Sequence, residues 1–306
     1  MNNITKAFVI IATKGRAKET YILLNYLAEQ TYPIEKIVVV GSEHSDIAGL
    51  ENHPLYATQK VVIKTSPAGS CIQRNAGMYH ILSDVKNVEP KHWFAVFFDD
   101  DYRPAHEWLA QCARTFEKYP DVVGLGGKVL ADGVTTGTIS EQEAKAHLEN
   151  NTVLAEENIE PCFYGLYGCN MAYRGNVVDN IRFDENLPLY AWQEDLDFGV
   201  RAIQQTKGKL IYTNQCIGVH LGVTGGRTSG IRFGYSQIAN PIYLANKGTM
   251  NKSYASRILF RNVASNIFHT ITLDTKKDYK GRLWGNLKAA FDLLRYNCHP
   301  TNILKF

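Results

Sequence analysis

The stretch that most constrains this chain is FAVFFDDD, Phe94 to Asp101. A short apolar and aromatic run of this kind reads as a buried strand, and its abrupt acidic end as the strand's carboxyl edge. Open α/β sheets bind ligands at that edge. Three adjacent carboxylates repel one another, and burying any of them without a partner is expensive. A divalent cation resolves the conflict: Mg²⁺ and Mn²⁺ prefer oxygen ligands and are often held by one or two carboxylates plus a substrate phosphate. A competing reading makes the three aspartates simple caps of a helix beginning near Pro104, where Asp before a Pro-initiated helix is common.

Around this stretch strands and helices alternate. AFVIIA (Ala7 to Ala12) predicts a first strand, followed by the turn TKGR and a helix from about Ala17 to Gln30, with Ile22, Leu23, Tyr26 and Leu27 on one face. KIVVV (Lys36 to Val40) is a second buried strand and Val61 to Lys64 a third. SCIQRNAGMYHIL continues as a helix carrying Ile72, Ala76, Tyr79 and His80 inward. The aspartate strand comes fourth, then a helix from about Pro104 to Tyr119. VVGLGGKVL adds a strand with close backbone approach at its glycines. Residues 132 to 160 read as a polar surface loop with one helix around Glu141 to Glu149. CFYGLYGCNMAYRG is strand-like. WQEDLDFGVRAIQQ opens a helix ended by Gly208, and strand Leu210 to Tyr212 follows. Such alternation describes a Rossmann-like sheet. GxxxxGK[ST] and GxGxxG are both missing, so a nucleotide would have to be held by another device.

Charge and cysteine usage narrow the function classes. A formal net charge of +3 over 306 residues gives no argument for nucleic-acid binding. Six scattered cysteines without a CxxC pair argue against a zinc module and fit reduced thiols. MNNITK has no signal-peptide pattern, no stretch approaches the roughly 18 apolar residues of a membrane span, and the expected location is the cytoplasm. Charge is uneven, however. From Lys247 onward 11 cations stand against three aspartates, a net +8 that leaves the rest of the chain at −5.

Several further residues carry possible chemistry. Glu194 and Asp195 at a helix start are either dipole partners or a general base. His220 after a strand is either a structural histidine or a ligand. Arg227 in GGRTSG could bind an anion or be solvated. Trp192 is either a sugar-stacking platform or a core anchor.

Taken in order, TKGR, RNAG, FFDDD, GCNMAYRG, RFDE, QEDLDFGVR and His220 form a series that resembles the family 2 glycosyltransferases of the GT-A fold, over roughly residues 5 to 222. The resemblance implies a Rossmann-like mixed sheet flanked by helices, with a catalytic domain over residues 1–225 and a mainly helical basic extension over 226–306. It also implies that Asp99, Asp100 and Asp101 meet a nucleotide-sugar and hold Mn²⁺ or Mg²⁺ on its diphosphate, with Asp101 the metal ligand and Asp99 on ribose or donor sugar. His220 matches a histidine at the metal or diphosphate, and Asp195, then Glu194, the catalytic base. Thr13 and Arg16 match a loop around the nucleotide base, and Arg74 a donor-side arginine. Arg227 would stabilise the departing nucleoside diphosphate, and Trp192 would serve the acceptor. One departure stands out: the second strand lacks the acidic end that reads the base in this family, leaving Ser42 or Asp46 for that contact.

The function implied is an inverting transfer from a nucleoside-diphosphate sugar to an acceptor hydroxyl, on a glycan or lipid-linked oligosaccharide, in surface polysaccharide synthesis. The alternatives are a metal-dependent nucleotidyltransferase, for which TKGR is a poor triphosphate loop, and an inactive sugar-nucleotide or glycan-binding module. In the basic extension, Arg282 to Tyr296 puts Leu283, Leu287, Ala290, Phe291 and Leu294 on one face. That pattern suits a helix lying on an anionic membrane surface or one packing back on the protein.

Overall fold

The computed structural model describes residues 5–151, 156–225 and 228–306. In chain order the elements are β1 (Lys6–Thr13), α1 (Ala17–Ala28), β2 (Ile34–Gly41), the single turn α2 (Pro54–Ala57), β3 (Val61–Thr65), α3 (Ser70–Leu82), β4 (Trp93–Asp99) and β5 (Tyr102–Pro104). There follow α4 (Trp108–Lys118), β6 (Val122–Asp132), the single turn α5 (Gly133–Thr136), α6 (Glu141–Asn150), β7 (Ile159–Cys162) and β8 (Asn170–Arg174). The chain continues through α7 (Gly175–Asn180), α8 (Glu194–Thr206), β9 (Lys209–His220), α9 (Gly230–Lys247), α10 (Lys252–Ile271) and α11 (Tyr279–Leu294).

The chain divides into two compact units. The first comprises Met1–Ala68, Ile72–Arg182 and Phe198–Gly226; the second comprises Gly69–Cys71, Phe183–Asp197 and Arg227–Phe306.

The first unit is built on a mixed sheet in the order β3-β2-β1-β4-β8-β6-β9-β5, with β7 beside β9. β3, β2, β1 and β4 run parallel, β8 runs against both β4 and β6, and β9 runs parallel to β6. The carboxyl ends of β1, β2, β4, β6 and β9 therefore share one edge. β1, β2 and β4 are near-continuous apolar runs because helices or loops cover both faces of a parallel sheet. Val9, Ile11, Val39, Val96 and Phe98 are at most 2% exposed and pack with Leu23, Leu24 and Leu27 of α1 and Trp108, Leu109 and Cys112 of α4. In α3, Gly77 lies so close to β1 that a Cβ there would meet Cγ2 of Ile10 at 2.5 Å, which gives the glycine of RNAG a packing role.

Two local expectations change. Pro104 does not begin a helix: it ends β5, whose Tyr102, Arg103 and Pro104 pair with His220, Val219 and Gly218 of β9. A proline lacking an N–H is tolerated there because β5 is the last strand of the sheet. The next helix starts at Trp108 with Glu107 at its N-cap, so the three aspartates cap no helix. Tyr79 points outward, 60% exposed, with the Arg182 guanidinium 4.9 Å from its ring centroid. Cys71, Gln73, Arg74, Asn75 and Met78 form the buried face of α3 instead.

The second unit is mainly helical. Asn266 of α10 donates to both Gln237 of α9 (2.7 Å) and Asn286 of α11 (2.8 Å), and Asn286 donates to the Gly234 carbonyl at 2.7 Å. α9 and α11 approach backbone to backbone: a Cβ on Gly285 would run into the Ile231 carbonyl, and one on Gly234 into that of Arg282. Among the described residues no helix is long and apolar enough to cross a membrane.

Candidate active site

Strand register explains how distant residues meet in the first unit. Asp99 ends β4 opposite Ala12 of β1, and β5 follows at once. Because Tyr102 pairs with His220 and Asp132 of β6 pairs with the same His220, the β4–β5 turn and the ends of β6 and β9 converge.

The three aspartates divide their tasks. Asp100 is buried; it accepts from the Thr13 hydroxyl at 2.8 Å and from Arg16 Nη1 at 2.8 Å. Burial, opposed by Arg16 and reinforced by the neighbouring Asp101, pushes its carboxyl up to about 7. Asp99 is about one-third exposed and accepts from Arg74 Nη2 at 3.0 Å, the same nitrogen that donates to the Gly168 carbonyl.

Asp101 is only 2% exposed. Its Oδ2 accepts from the Val223 amide at 2.8 Å and lies 3.4 Å from Arg16 Nη1. Its Oδ1 is buried and accepts no hydrogen bond, with His220 Nε2 3.3 Å away. Burial alone would raise Asp101, but His220, Arg16 and the Val223 amide outweigh it and hold the carboxyl at about 2.

One nitrogen of His220 is committed elsewhere. Nδ1 lies 3.1 Å from Asp132 Oδ1, and the Tyr167 hydroxyl donates to Asp132 Oδ2 at 3.2 Å. The Tyr167 and His220 rings meet edge to face at 5.7 Å. Burial opposes protonation of this imidazole, yet the neighbouring Cys169 and the flanking carboxylates of Asp101 and Asp132 raise its pKa well above the ordinary histidine value. A histidine whose Nδ1–H is fixed on a carboxylate offers Nε2 to a metal.

Ligand atoms of Asp99, Asp101 and His220 lie within 4.8 Å of one another. Two carboxylates and one imidazole fit a divalent cation that takes oxygen and nitrogen ligands. The fit rests on Asp101 Oδ1, which is buried, accepts no well-formed hydrogen bond and among the described residues is met only by His220 Nε2 at 3.3 Å, itself a candidate ligand atom.

Neighbouring residues fix the loops at this edge. Arg16 also donates from Nε to the Gly225 carbonyl (2.8 Å) and from Nη2 to that of Val223 (2.7 Å), tying the post-β9 segment to the turn after β1. Ser42 gives its hydroxyl to Asp46 at 2.6 Å, and the amides of Gly15, Ser42 and Glu43 converge on the same carboxylate. Burial disfavours the Asp46 anion, but these donors lower its pKa below the usual range. Gln73 bridges the carbonyls of Thr13 and Val40, locking the ends of β1 and β2 together.

The remaining sequence candidates lie in the second unit or beyond description. Glu194, buried, and Asp195, half-buried, open α8. Before them Leu189, Ala191 and Gln193 have φ values of 59°, 53° and 76°, a left-handed run on side chains that disfavour it. Trp192 sets its ring edge to face against Phe233 at 6.0 Å, with Tyr190 5.7 Å from the same ring, and its carbonyl accepts from Asn240 at 2.8 Å. Arg227 lies outside the described residues.

Sequence reasoning missed Asp132 and Tyr167. Asp132 carried the same signal as the central stretch, an acidic residue at the end of a glycine-rich apolar strand. Tyr167 had none, because a loop tyrosine is brought to the histidine by tertiary packing alone.

Residues 8–181, more than half of the chain, match the family model described as Glycosyl transferase family 2. The chain belongs to that family. No curated protein sequence matches this family 2 chain significantly. Among solved structures, S. aureus TarS residues 1–349 superimpose with a TM-score of 0.51 at 21% identity, covering 92% of this chain and 79% of that one. The same protein in complex with UDP-GlcNAc gives 0.53 at 19% identity, covering 91% and 78%. The mannosyltransferase PcManGT from Pyrobaculum calidifontis, in complex with GDP-Man and Mn²⁺, gives 0.55 at 13% identity, covering 98% and 85%. At these identities the likeness is one of fold, the mixed GT-A sheet with its helical C-terminal region.

Proposed function

We propose that this family 2 member is a metal-dependent, inverting glycosyltransferase that moves a sugar from a nucleoside-diphosphate sugar to a hydroxyl of a glycan or lipid-linked acceptor. The observation that carries the reading is the Asp99–Asp101–His220 cluster with its orphaned Asp101 oxygen at the carboxyl edge of β4. The neighbours crystallised with UDP-GlcNAc and with GDP-Man and Mn²⁺ support it, and because their bases differ the base is left open. Family membership favours transfer over nucleotidyl chemistry.

Asp99, Asp101 and His220 would hold Mn²⁺ or Mg²⁺. The cation, when bound, neutralises charge that builds on the departing diphosphate. Asp132 keeps His220 in the tautomer that presents Nε2, and Arg16, 2.8 Å from Asp100 and 3.4 Å from Asp101, favours the anion of each against the burial that opposes it. Arg74 orients Asp99 through Oδ1, so that Oδ2, 4.0 Å from His220 Nε2, would face the cation and the donor's ribose or sugar beside it. Thr13, Arg16 and Ser42 line the donor side with the turns after β1 and β2, and Arg227 offers a further cation for the diphosphate.

Asp195 is the proposed base that takes the proton of the acceptor hydroxyl, with Glu194 second. A single displacement opposite the leaving group inverts the anomeric centre. The left-handed run before the Glu–Asp pair supports this reading, since strained backbone clusters at sites where side chains must be held for chemistry. Trp192, half-buried beside Tyr190 and Phe233, gives the acceptor an aromatic wall.

The test is transfer followed by NMR. The product's anomeric configuration should be opposite to the donor's, and Asp195→Asn should reduce kcat by at least about 100-fold while donor affinity stays unchanged. Retention of configuration, or an Asp195→Asn variant with undiminished kcat, would remove the base assignment.

A further inference from the structure

The second unit leaves an apolar face that neither the fold nor the proposed chemistry uses. Of 18 large apolar side chains exposed among the described residues, 12 fall between Phe260 and Leu304, which makes the exposure a local feature. On α10, Phe260, Ile267 and Ile271 recur at helical spacing beside Phe268, with Phe260 and Ile271 each 75% exposed. On α11, Trp284, Leu287, Phe291 and Leu294 do the same, from 51% to 80% exposed. The sequence pattern puts Leu283, Leu287, Ala290, Phe291 and Leu294 on one face, suited either to an anionic membrane surface or to packing back on the protein. The helix instead packs through Gly285, Asn286 and Ala289, and Asn266 and Asn286 hold the inward faces of the two helices together. Exposed apolar stripes of this kind on two helices that pack together mark an interaction site.

Charge decides what the site takes. Lys252, Arg257, Arg261, Lys280 and Arg295 are exposed on or beside the same two helices, within the segment of net +8. The three aspartates of that segment are engaged internally: Asp274 with His269, Asp278 with the Gly281 amide, and Asp292 with the Tyr235 hydroxyl. A second copy of this face would bring cations against cations. An anionic lipid surface matches both the apolar stripes and the charge.

We propose that α10 and α11 dock the protein peripherally on anionic lipid bilayers, with the aromatic and aliphatic side chains at the headgroup boundary and the cations among the headgroups. The contact lies on the membrane rather than through it, because the inner faces of both helices remain packed on α9. This proposal stands apart from the catalytic reading, since it uses none of the residues assigned to donor, metal or base.

The test is co-sedimentation of the full chain with vesicles of phosphatidylcholine containing about one third phosphatidylglycerol, against pure phosphatidylcholine. Binding should require the anionic lipid, weaken with salt, and produce a blue shift of tryptophan emission that Trp284→Phe removes. Leu287→Glu with Phe291→Glu should lower partition about ten-fold or more, and Arg261→Ala about five-fold. Light scattering on the same variants follows oligomeric state, and circular dichroism confirms that they fold. Failure of the wild type to bind anionic vesicles overturns the proposal. So does unchanged binding by the Leu287/Phe291 variant, or a dimer that this variant dissociates.

Discussion

At the level of single residues, the decisive atom is Oδ1 of Asp101, buried, without a well-formed hydrogen bond and met, among the described residues, only by His220 Nε2 at 3.3 Å. Asp100, its neighbour, has both oxygens bonded by Thr13 and Arg16. The three aspartates therefore are not equivalent, and substitution should separate them. Asp101→Asn should abolish metal-dependent nucleotide binding, whereas Asp100→Asn should act mainly on stability, by loosening Arg16 and with it the Val223–Gly225 segment. A thermal melt with and without Mn²⁺ distinguishes the two. Asp132→Asn should weaken the metal response about 10- to 100-fold, because His220 loses the partner that fixes its tautomer. Isothermal titration with Mn²⁺ measures it, and unchanged affinity would leave Asp132 a packing residue. The aspartate run and His220 were legible in the sequence because strand ends collect ligands. The engagement of Asp100 was not, since it depends on Thr13 and Arg16 arriving from a different strand end.

At the level of elements, the site exists because β5 runs antiparallel to β9 and brings His220 beside the β4–β5 turn, 119 positions away in sequence from Asp101. A helix from Pro104 would have left the aspartates as caps. The short strand was illegible because three residues carry no periodicity, and the pairing that defines it comes from β9. Helix packing makes an independent prediction in the second unit. Gly285→Ala should destabilise by about 2–3 kcal/mol, because the added methyl meets the backbone carbonyl of Ile231 rather than a flexible side chain. Denaturant titration checks this, and a loss below about 0.5 kcal/mol would mean that α11 shifts freely on α9. The apolar period of α11 was plain in the sequence. Which side it faced was not, because glycine and asparagine, not the leucines, define the buried seam.

For the molecule as a whole, the family 2 fold was legible from the order of short motifs over residues 5 to 222, whereas the helical region beyond had only amphipathic and charge patterns to read. One feature of the second unit makes stability depend on pH. Asp184 receives Lys247 at 2.5 Å and the Tyr243 hydroxyl at 2.8 Å; burial opposes its ionisation, but these partners hold its carboxyl at about 2. A carboxyl depressed in the folded state contributes stability above its unfolded pKa of about 3.9 and loses it as pH falls toward 2. The contribution is of order 2 kcal/mol at neutral pH. The Tm gap between wild type and Asp184→Asn should therefore be full at pH 7 and shrink between about pH 5 and pH 2. A gap constant with pH would assign the effect to packing.

The central claim is that a divalent cation at Asp99, Asp101 and His220 bridges the sheet edge to a nucleotide-sugar. The most direct measurement is a thermal-shift panel of UDP-, GDP-, dTDP- and CMP-sugars, each with Mn²⁺ and with EDTA, on wild type and Asp101→Asn. Ligand that binds only the folded state raises Tm by mass action. A rise with one nucleotide class that vanishes with EDTA and in Asp101→Asn is the predicted result. A rise that survives both EDTA and the substitution, or none with any donor, would contradict it.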